Sequence, residues 1–226
     1  MSDYALPDWQ AASPARHLTL TGQHVRLEPL DTARHSEQLW RALQGPDADP
    51  TLWAYLPYGP FTERQAFDTW IASNAASADP LFFAVIDLGS DQAQGLFSYL
   101  RMAPEHGSIE IGHIAFGRVM QRTAKASEAV FLLADHAFAL GNRRLEWKCN
   151  AANQRSMRAA ARFGFRYEGL FRQHLVVKGR NRDTAWFAIL DGEWPALRQA
   201  FQRWLAVDNF DDQGRQRHAL EHLRAQ

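Results

Sequence analysis

Two stretches of this sequence place reactive or ligand-binding residue types at telling spacings. The first runs from Ser108 to Gly141. Ser108 to Phe116 is rich in β-branched and aromatic residues and reads as a strand. Gly117 to Arg122 turns the chain, and a long helix opens at Thr123, the predicted N-cap. Along it Ala126, Val130, Leu133, Ala137 and Leu140 form one apolar stripe, and Gly141-Asn142 supplies the stop. A helix start leaves backbone N–H groups without partners and carries the positive end of the macrodipole. Ala124 and Ala126 are small enough to let a ligand approach that backbone, so Arg122 to Ala126 outlines an anion site suited to a pyrophosphate. A strand, a turn and a capped helix alone occur in many α/β proteins that bind no phosphate. The second stretch adds to it: Asn153 to Phe163 is a short helix capped by Asn153, carrying Ser156 in its first turn and ended by Gly164 with Phe165 folding back.

The elements that must position these residues follow from the rest of the chain. With 226 residues, 46% of them hydrophobic, the sequence can bury one good core and is expected to form one domain with trimmings. Zero net charge removes any general electrostatic pull towards nucleic acid or anionic membrane. A single cysteine excludes an internal disulfide framework and a cysteine-rich zinc site, and no metal is expected. No apolar run is long enough to span a bilayer, and Met1-Ser2-Asp3-Tyr4 does not resemble the start of a signal peptide, so a soluble cytoplasmic protein is expected.

In chain order, residues 1–17 read as a flexible arm, 18–207 as the folded domain and 208–226 as a polar tail that is disordered or adds a marginal helix. Leu18 to Leu30 reads as two short strands, and Thr32 to Leu43 as a helix capped by Asp31 or Thr32. The irregular passage Gln44 to Pro60 holds Trp53, Tyr55, Leu56 and Tyr58, either a lid on the core or a substrate wall. A second helix, capped by Thr62, runs to about Ala76. Leu81 to Leu88 is a buried strand, Gln94 to Met102 its partner. Arg144 to Asn150 is a strand whose Leu145, Trp147 and Cys149 share one face, which makes Cys149 a core residue. Tyr167 to Lys178 and Thr184 to Leu190 are strands, and Glu193 to Val207 an amphipathic helix.

This succession, β-β-α-α-β-β-β-α-β-α-β-β, resembles the GNAT superfamily of acyl-CoA-dependent N-acetyltransferases, and in particular its ribosomal-protein N-terminal acetyltransferase branch. The resemblance spans roughly Leu18 to Leu205. It is carried by Glu110-Ile111-Gly112, by Gln121-Arg122-Thr123-Ala124-Lys125-Ala126 in place of the family's Gln/Arg-x-x-Gly-x-Gly/Ala loop, and by Ser127-Glu128-Ala129. Asn153-Gln154-Arg155-Ser156, Phe163-Gly164-Phe165, Glu168-Gly169 and Arg172 complete it. Ala124 departs from the family pattern, which has glycine there; a helical first-turn position tolerates alanine.

What the resemblance implies is an α/β (α+β) GNAT fold, a mixed central sheet of about six to seven strands flanked by helices, with the acyl-CoA at a splayed strand pair. It implies direct attack of a primary amine on the thioester of acetyl-CoA. The backbone of Gln121, Arg122, Thr123, Ala124, Lys125 and Ala126 would hold the pyrophosphate, and Ile114, Ala115 and Phe116 would pair with the pantetheine as an extra strand would. A backbone N–H near Ile114 would face the oxygen that gains charge. Ser156 would protonate the leaving thiolate, or serve as a helix cap; Asn153 would cap or contact the pantetheine. One of Arg155, Arg158 and Arg162 would reach a CoA phosphate, with Arg158 the choice. Glu110 is the preferred base, with His113 and Glu168 as alternatives. Strand alternation sets Glu110 and His113 on opposite faces unless a bulge intervenes. The acceptor is left open between a protein N-terminus and a small-molecule amine. Arg172, Lys178, Arg180 and Arg182 suggest an acidic partner, or else a solvated hairpin face. A homodimer is compatible with the resemblance, as is a CoA-binding or sensing module without turnover.

Overall fold

The computed structural model describes residues 5–224. All eight strands join one sheet in the order β1-β2-β3-β4-β5-β6-β8-β7. They are β1 (Leu20–Thr21), β2 (Val25–Pro29), β3 (Leu81–Asp87), β4 (Gln92–Ala103), β5 (Ser108–Phe116), β6 (Arg144–Asn150), β7 (Arg166–Val177) and β8 (Arg180–Leu190). The sheet exceeds the expected six to seven because all eight segments that read as strands join it. The helices are α1 (Thr32–Gln44), α2 (Arg64–Ala75), α3 (Ala124–Ala139), α4 (Gln154–Phe163), α5 (Trp194–Leu205) and α6 (Leu220–Arg224). No helix of the described residues is long and apolar enough to cross a membrane.

Every residue of β3 is buried, because helices cover both faces of the sheet there. Leu81, Phe83 and Val85 pack with Val130 and Leu133 of α3, while Phe82, Ala84 and Ile86 pack with Leu39 and Leu43 of α1 and Phe67 and Ile71 of α2. The Asp31 carboxylate accepts from the Arg34 N–H at 2.8 Å and caps α1 as the sequence suggests. α2 opens one residue later than expected, after Glu63, without a side-chain cap.

Parts of both terminal segments pack against the domain. From residue 5 onward the expected flexible arm is docked: the Ala12 and Ser13 N–H groups donate to Pro104 and Leu140 carbonyls at 3.0 and 2.8 Å, and Ala12 is buried. Residues 1–4 lie outside the described part. In the tail, Leu220 and Leu223 enter the core, and Trp204 Nε1 donates to Gln216 Oε1 at 2.8 Å. Two apolar side chains at helical spacing are enough to recruit this polar segment.

A buried carboxylate ties α3 to the first hairpin. Glu128 accepts the N–H groups of Gln23, His24 and Val25 at 2.7, 2.7 and 2.9 Å. A side chain at Gly22 would collide with that carboxylate, so glycine is required by contact rather than by backbone angle. Glu128→Ala leaves three N–H groups without acceptors and is expected to lower unfolding free energy by about 3 kcal/mol or more, read by urea denaturation.

Candidate active site

The site begins where β5 and β6 part. The two run parallel only from Ser108 opposite Arg144 to Glu110 opposite Glu146. Beyond that point β6 stays with β8 along its whole length, Arg144 to Asn150. β5 instead follows β4 through an irregular register, and His113 takes φ +54°, a bulge in a β-rich strand. From Ile111 to Phe116 the β6-facing edge of β5 has no strand partner. Ala115 and Phe116 bury their side chains and Ile114 packs against the core, so what this edge offers a ligand is backbone.

The next turn delivers that edge to α3. Gly117 N–H donates to Gln94 at 2.8 Å, and Gln121 Nε2 donates to the Phe116 carbonyl at 2.9 Å. Arg122 takes φ +60° and Thr123 is extended. Thr123 holds the N-cap position, but its hydroxyl donates to the Met120 carbonyl at 2.7 Å, and α3 has no side-chain cap. The first-turn N–H groups of Ala124, Lys125 and Ala126 thus receive no side-chain cap. The Lys125 ammonium is not available there, being paired with Asp87 at 2.8 Å. Of the arginines on α4, Arg155 is bonded to Asp49 and Thr51, and Arg162 donates to Ser127 Oγ at 2.9 Å. Arg158 is exposed, with no hydrogen bond among the described residues.

Across the gap, α4 begins against β6. Asn153 Oδ1 accepts from the Ser156 N–H at 3.1 Å, so Asn153 is the cap. The Ser156 hydroxyl does something else: its oxygen accepts from Trp147 Nε1 at 3.0 Å, and the buried Cys149 thiol, its pKa raised by desolvation, lies in reach of the same oxygen. With a lone pair of Oγ engaged by the indole, the O–H is left to donate. Cys149 is a core residue, as its strand position suggests.

The opposite face of the splay holds Glu110 and His113 together, because the bulge at His113 cancels the alternation. Ile109 and Ile111 face α3, whereas Glu110 points the other way and His113 stacks on Tyr58 and meets Phe82 on that same side. Glu110 is only 4% exposed, and its Oε2 holds Arg101 at 2.8 Å and Lys148 at 3.0 Å. His113 Nδ1 is 2.7 Å from the Tyr58 hydroxyl. Burial, with Arg101 and Arg182 nearby, lowers the His113 pKa to about 4, so the ring is neutral at pH 7. Burial likewise keeps the Tyr58 phenol protonated. Glu168 lies elsewhere, paired with Arg144.

The irregular passage before α2 covers the core. Trp53 is buried against Tyr58, Phe61 and Trp70. Tyr55 donates to the Ala152 carbonyl at 3.2 Å, and Lys178 of the hairpin donates to the Trp53 carbonyl at 2.8 Å. The passage thereby spans from α1 to the α4 start and the β7–β8 turn. Tyr58 belongs to the passage that the sequence offers as lid or wall, and Trp147 to the apolar face of its strand; an aromatic in a loop and an apolar position on a strand carry no signal for the polar tip each one uses.

Desolvation also lowers the pKa of His35 and His136. The unfolded chain takes up protons near the ordinary value of 6.5 that the folded His113 refuses until about 4. Stability is therefore full above that ordinary value and drains as pH falls towards the folded one. For His113 alone the loss at pH 5 is about 2 kcal/mol. Urea midpoints at pH 7.5 and 5 should show it, and His113→Gln should flatten the slope.

Residues 24–166 match the model of the acetyltransferase (GNAT) domain. The chain belongs to the GNAT acetyltransferase family. A GCN5-related N-acetyltransferase from Brucella melitensis has 45% identity and a TM-score of 0.94, with 98% of this chain and 100% of that one covered. A probable GNAT acetyltransferase from Chromobacterium violaceum has 47% identity and a TM-score of 0.79, over 86% and 97%. The uncharacterized N-acetyltransferase p20 of Bacillus licheniformis is 32% identical over 65% of this chain and 84% of its own. The GNAT chain is accordingly an acetyl-CoA-dependent acyltransferase, and the mixed sheet with its parting β5 and β6 is the family's fold.

Proposed function

We propose that this GNAT protein moves an acetyl group from acetyl-CoA to a primary amine by direct attack of that amine, without an acyl-enzyme. The observation that carries the reading is the Ser156 hydroxyl beside the parting strands: its oxygen accepts from Trp147, so its O–H is the donor, turned to the Cys149 sulfur in the free protein and to the thioester sulfur when acetyl-CoA is bound. When bound, acetyl-CoA supplies the activated acyl carbon and a leaving thiolate. The N–H groups of Ala124 to Ala126, with the turn from Gln121, meet its pyrophosphate; Arg158 is free to meet a further phosphate. The backbone of Ile114 to Phe116 aligns the pantetheine amides, and the Ile114 N–H faces the oxygen that gains charge. Ser156 gives its proton to the departing sulfur.

Proton removal from the amine falls to His113, directly or through water, rather than to Glu110. Glu110 Oε2 already holds two cations, whereas His113 is neutral and, in the tautomer whose Nδ1–H donates to the Tyr58 oxygen, keeps a bare Nε2 to accept the proton. A weak base suffices, since the nitrogen becomes much more acidic once bonded to the acyl carbon. A small-molecule amine or a peptide N-terminus fits equally with this chemistry. An α-amine near pKa 8 is roughly a tenth neutral at pH 7, against about one molecule in a thousand for a lysine-type amine.

The test follows thiol release over a panel of amines. Amine-dependent CoA production is expected, with kcat/KM rising with pH to the pKa of the amine itself and no limb near 6.5 from His113. Tight acetyl-CoA binding with no release for any amine would leave a sensing module instead.

A further inference from the structure

The acceptor face contains a cation that the fold leaves without a counter-charge. On β8, Ala185, Phe187 and Ile189 enter the core, so Arg182, Thr184 and Trp186 project to the opposite face, the one that carries Glu110. Of the four hairpin cations, Lys178 is bound to the Trp53 carbonyl, and Arg172 and Arg180 are exposed. Arg182 differs. It is half-buried, its Nε is fully buried, and its guanidinium makes no hydrogen bond or ion pair with any described residue. Desolvation accordingly depresses its pKa. Trp186 Nε1, four residues on along the same face, is a second buried donor without an acceptor among the described residues.

The neighbouring carboxylates are already committed. Glu110 holds Arg101 and Lys148; Glu146 holds Lys148 at 2.5 Å and Arg144 at 2.7 Å. Asp79 accepts from the Arg101 and Met102 N–H groups at 3.0 and 3.3 Å. Lys148, 3.7 Å above the Trp186 ring, closes the floor. Desolvating a guanidinium with no partner is unfavourable, and protein sites accept it where a ligand brings the partner. The position of Arg182 fits that role: it and Arg101 both act electrostatically on His113, the residue beside which the amine must lie.

We infer that the acceptor amine carries its own anionic group, a carboxylate or phosphoryl, which pairs with Arg182 while the amine lies against His113. A small amino acid or an aminoalkyl phosphate carries both groups and represents the class. This rests on the transferase reading above and narrows its substrate class.

The experiment measures kcat/KM by CoA release for matched pairs, each compared per neutral amine. One arm sets amino acids against their amides, the other phosphoethanolamine against ethanolamine, so the two sources of negative charge are separated. In the wild-type protein the anionic member of at least one pair should be preferred by roughly 10- to 100-fold, mainly through KM. Arg182→Met should abolish the preference and Arg182→Lys restore part of it, with melting temperature and acetyl-CoA affinity held. Equal or better turnover of the neutral members in both arms, or a preference that survives in Arg182→Met, overturns the inference and leaves acetyl transfer standing. No CoA release with any amine overturns both.

Discussion

Ser156→Ala is expected to lower kcat by about 100-fold, within the range for loss of a positioned acid, while acetyl-CoA affinity changes by less than about threefold. The separation follows from geometry. The hydroxyl contributes nothing to the cap, which belongs to Asn153, and its oxygen is held by the Trp147 indole. Removing it also strands a buried indole N–H, so a stability loss of about 1–3 kcal/mol should accompany the loss of turnover. Trp147→Phe discriminates between the two effects: it removes the stranded donor but keeps the serine, and should lower kcat far less than Ser156→Ala. If both variants lose the same modest fraction of activity in step with their melting temperatures, Ser156 is structural.

The second large effect is at the start of α3. Ala124→Glu should reduce acetyl-CoA affinity by about 100-fold or more, because it sets a carboxylate against the pyrophosphate at close range. The same substitution should change stability little, by about 1 kcal/mol or less, since a first-turn acid favours the helix dipole while Glu128 four residues on opposes it. The contrast between a large loss of affinity and a small change in stability is what makes the result informative. A misfolded variant would lose both. Calorimetric titration with acetyl-CoA beside a thermal melt reads the two quantities separately.

Much of this architecture could be read from the residues. The β5-turn-α3 junction, the Asn153 cap and the Gly164 stop are local devices, governed by near neighbours in sequence, and the structure places them where their residue types imply. Gly164 takes φ +97° and Phe165 N–H returns to the Ala160 carbonyl at 3.0 Å, as a glycine-terminated helix requires. Glu110 and His113 show where local reasoning stops. Their shared face depends on a bulge set by pairing with β4, residues far from either in the alternation rule. The two arginine groups show the same limit. Nothing in composition distinguishes Arg182 from Arg172 or Arg180; only the strand face, the burial of Nε and the commitment of every nearby carboxylate do so. At the chain ends, the short helix α6 is the marginal helix that the tail's sequence allows, and Ala12, Leu220 and Leu223 are the apolar side chains that bring the two segments to the core.

The loop ahead of α2 illustrates how one segment serves packing and chemistry together. Trp53 fixes it to the aromatic cluster, and that anchoring sets Tyr58 against His113. A position that reads as core is therefore also what orients the imidazole.

A crystal structure of the protein with acetyl-CoA tests the central claim most directly. The pyrophosphate should lie within 3.2 Å or so of the N–H groups from Arg122 to Ala126, the pantetheine along Ile114 to Phe116, and the sulfur beside Ser156 Oγ. Acetyl-CoA seated away from the α3 start, or with its sulfur out of reach of Ser156, would contradict the account.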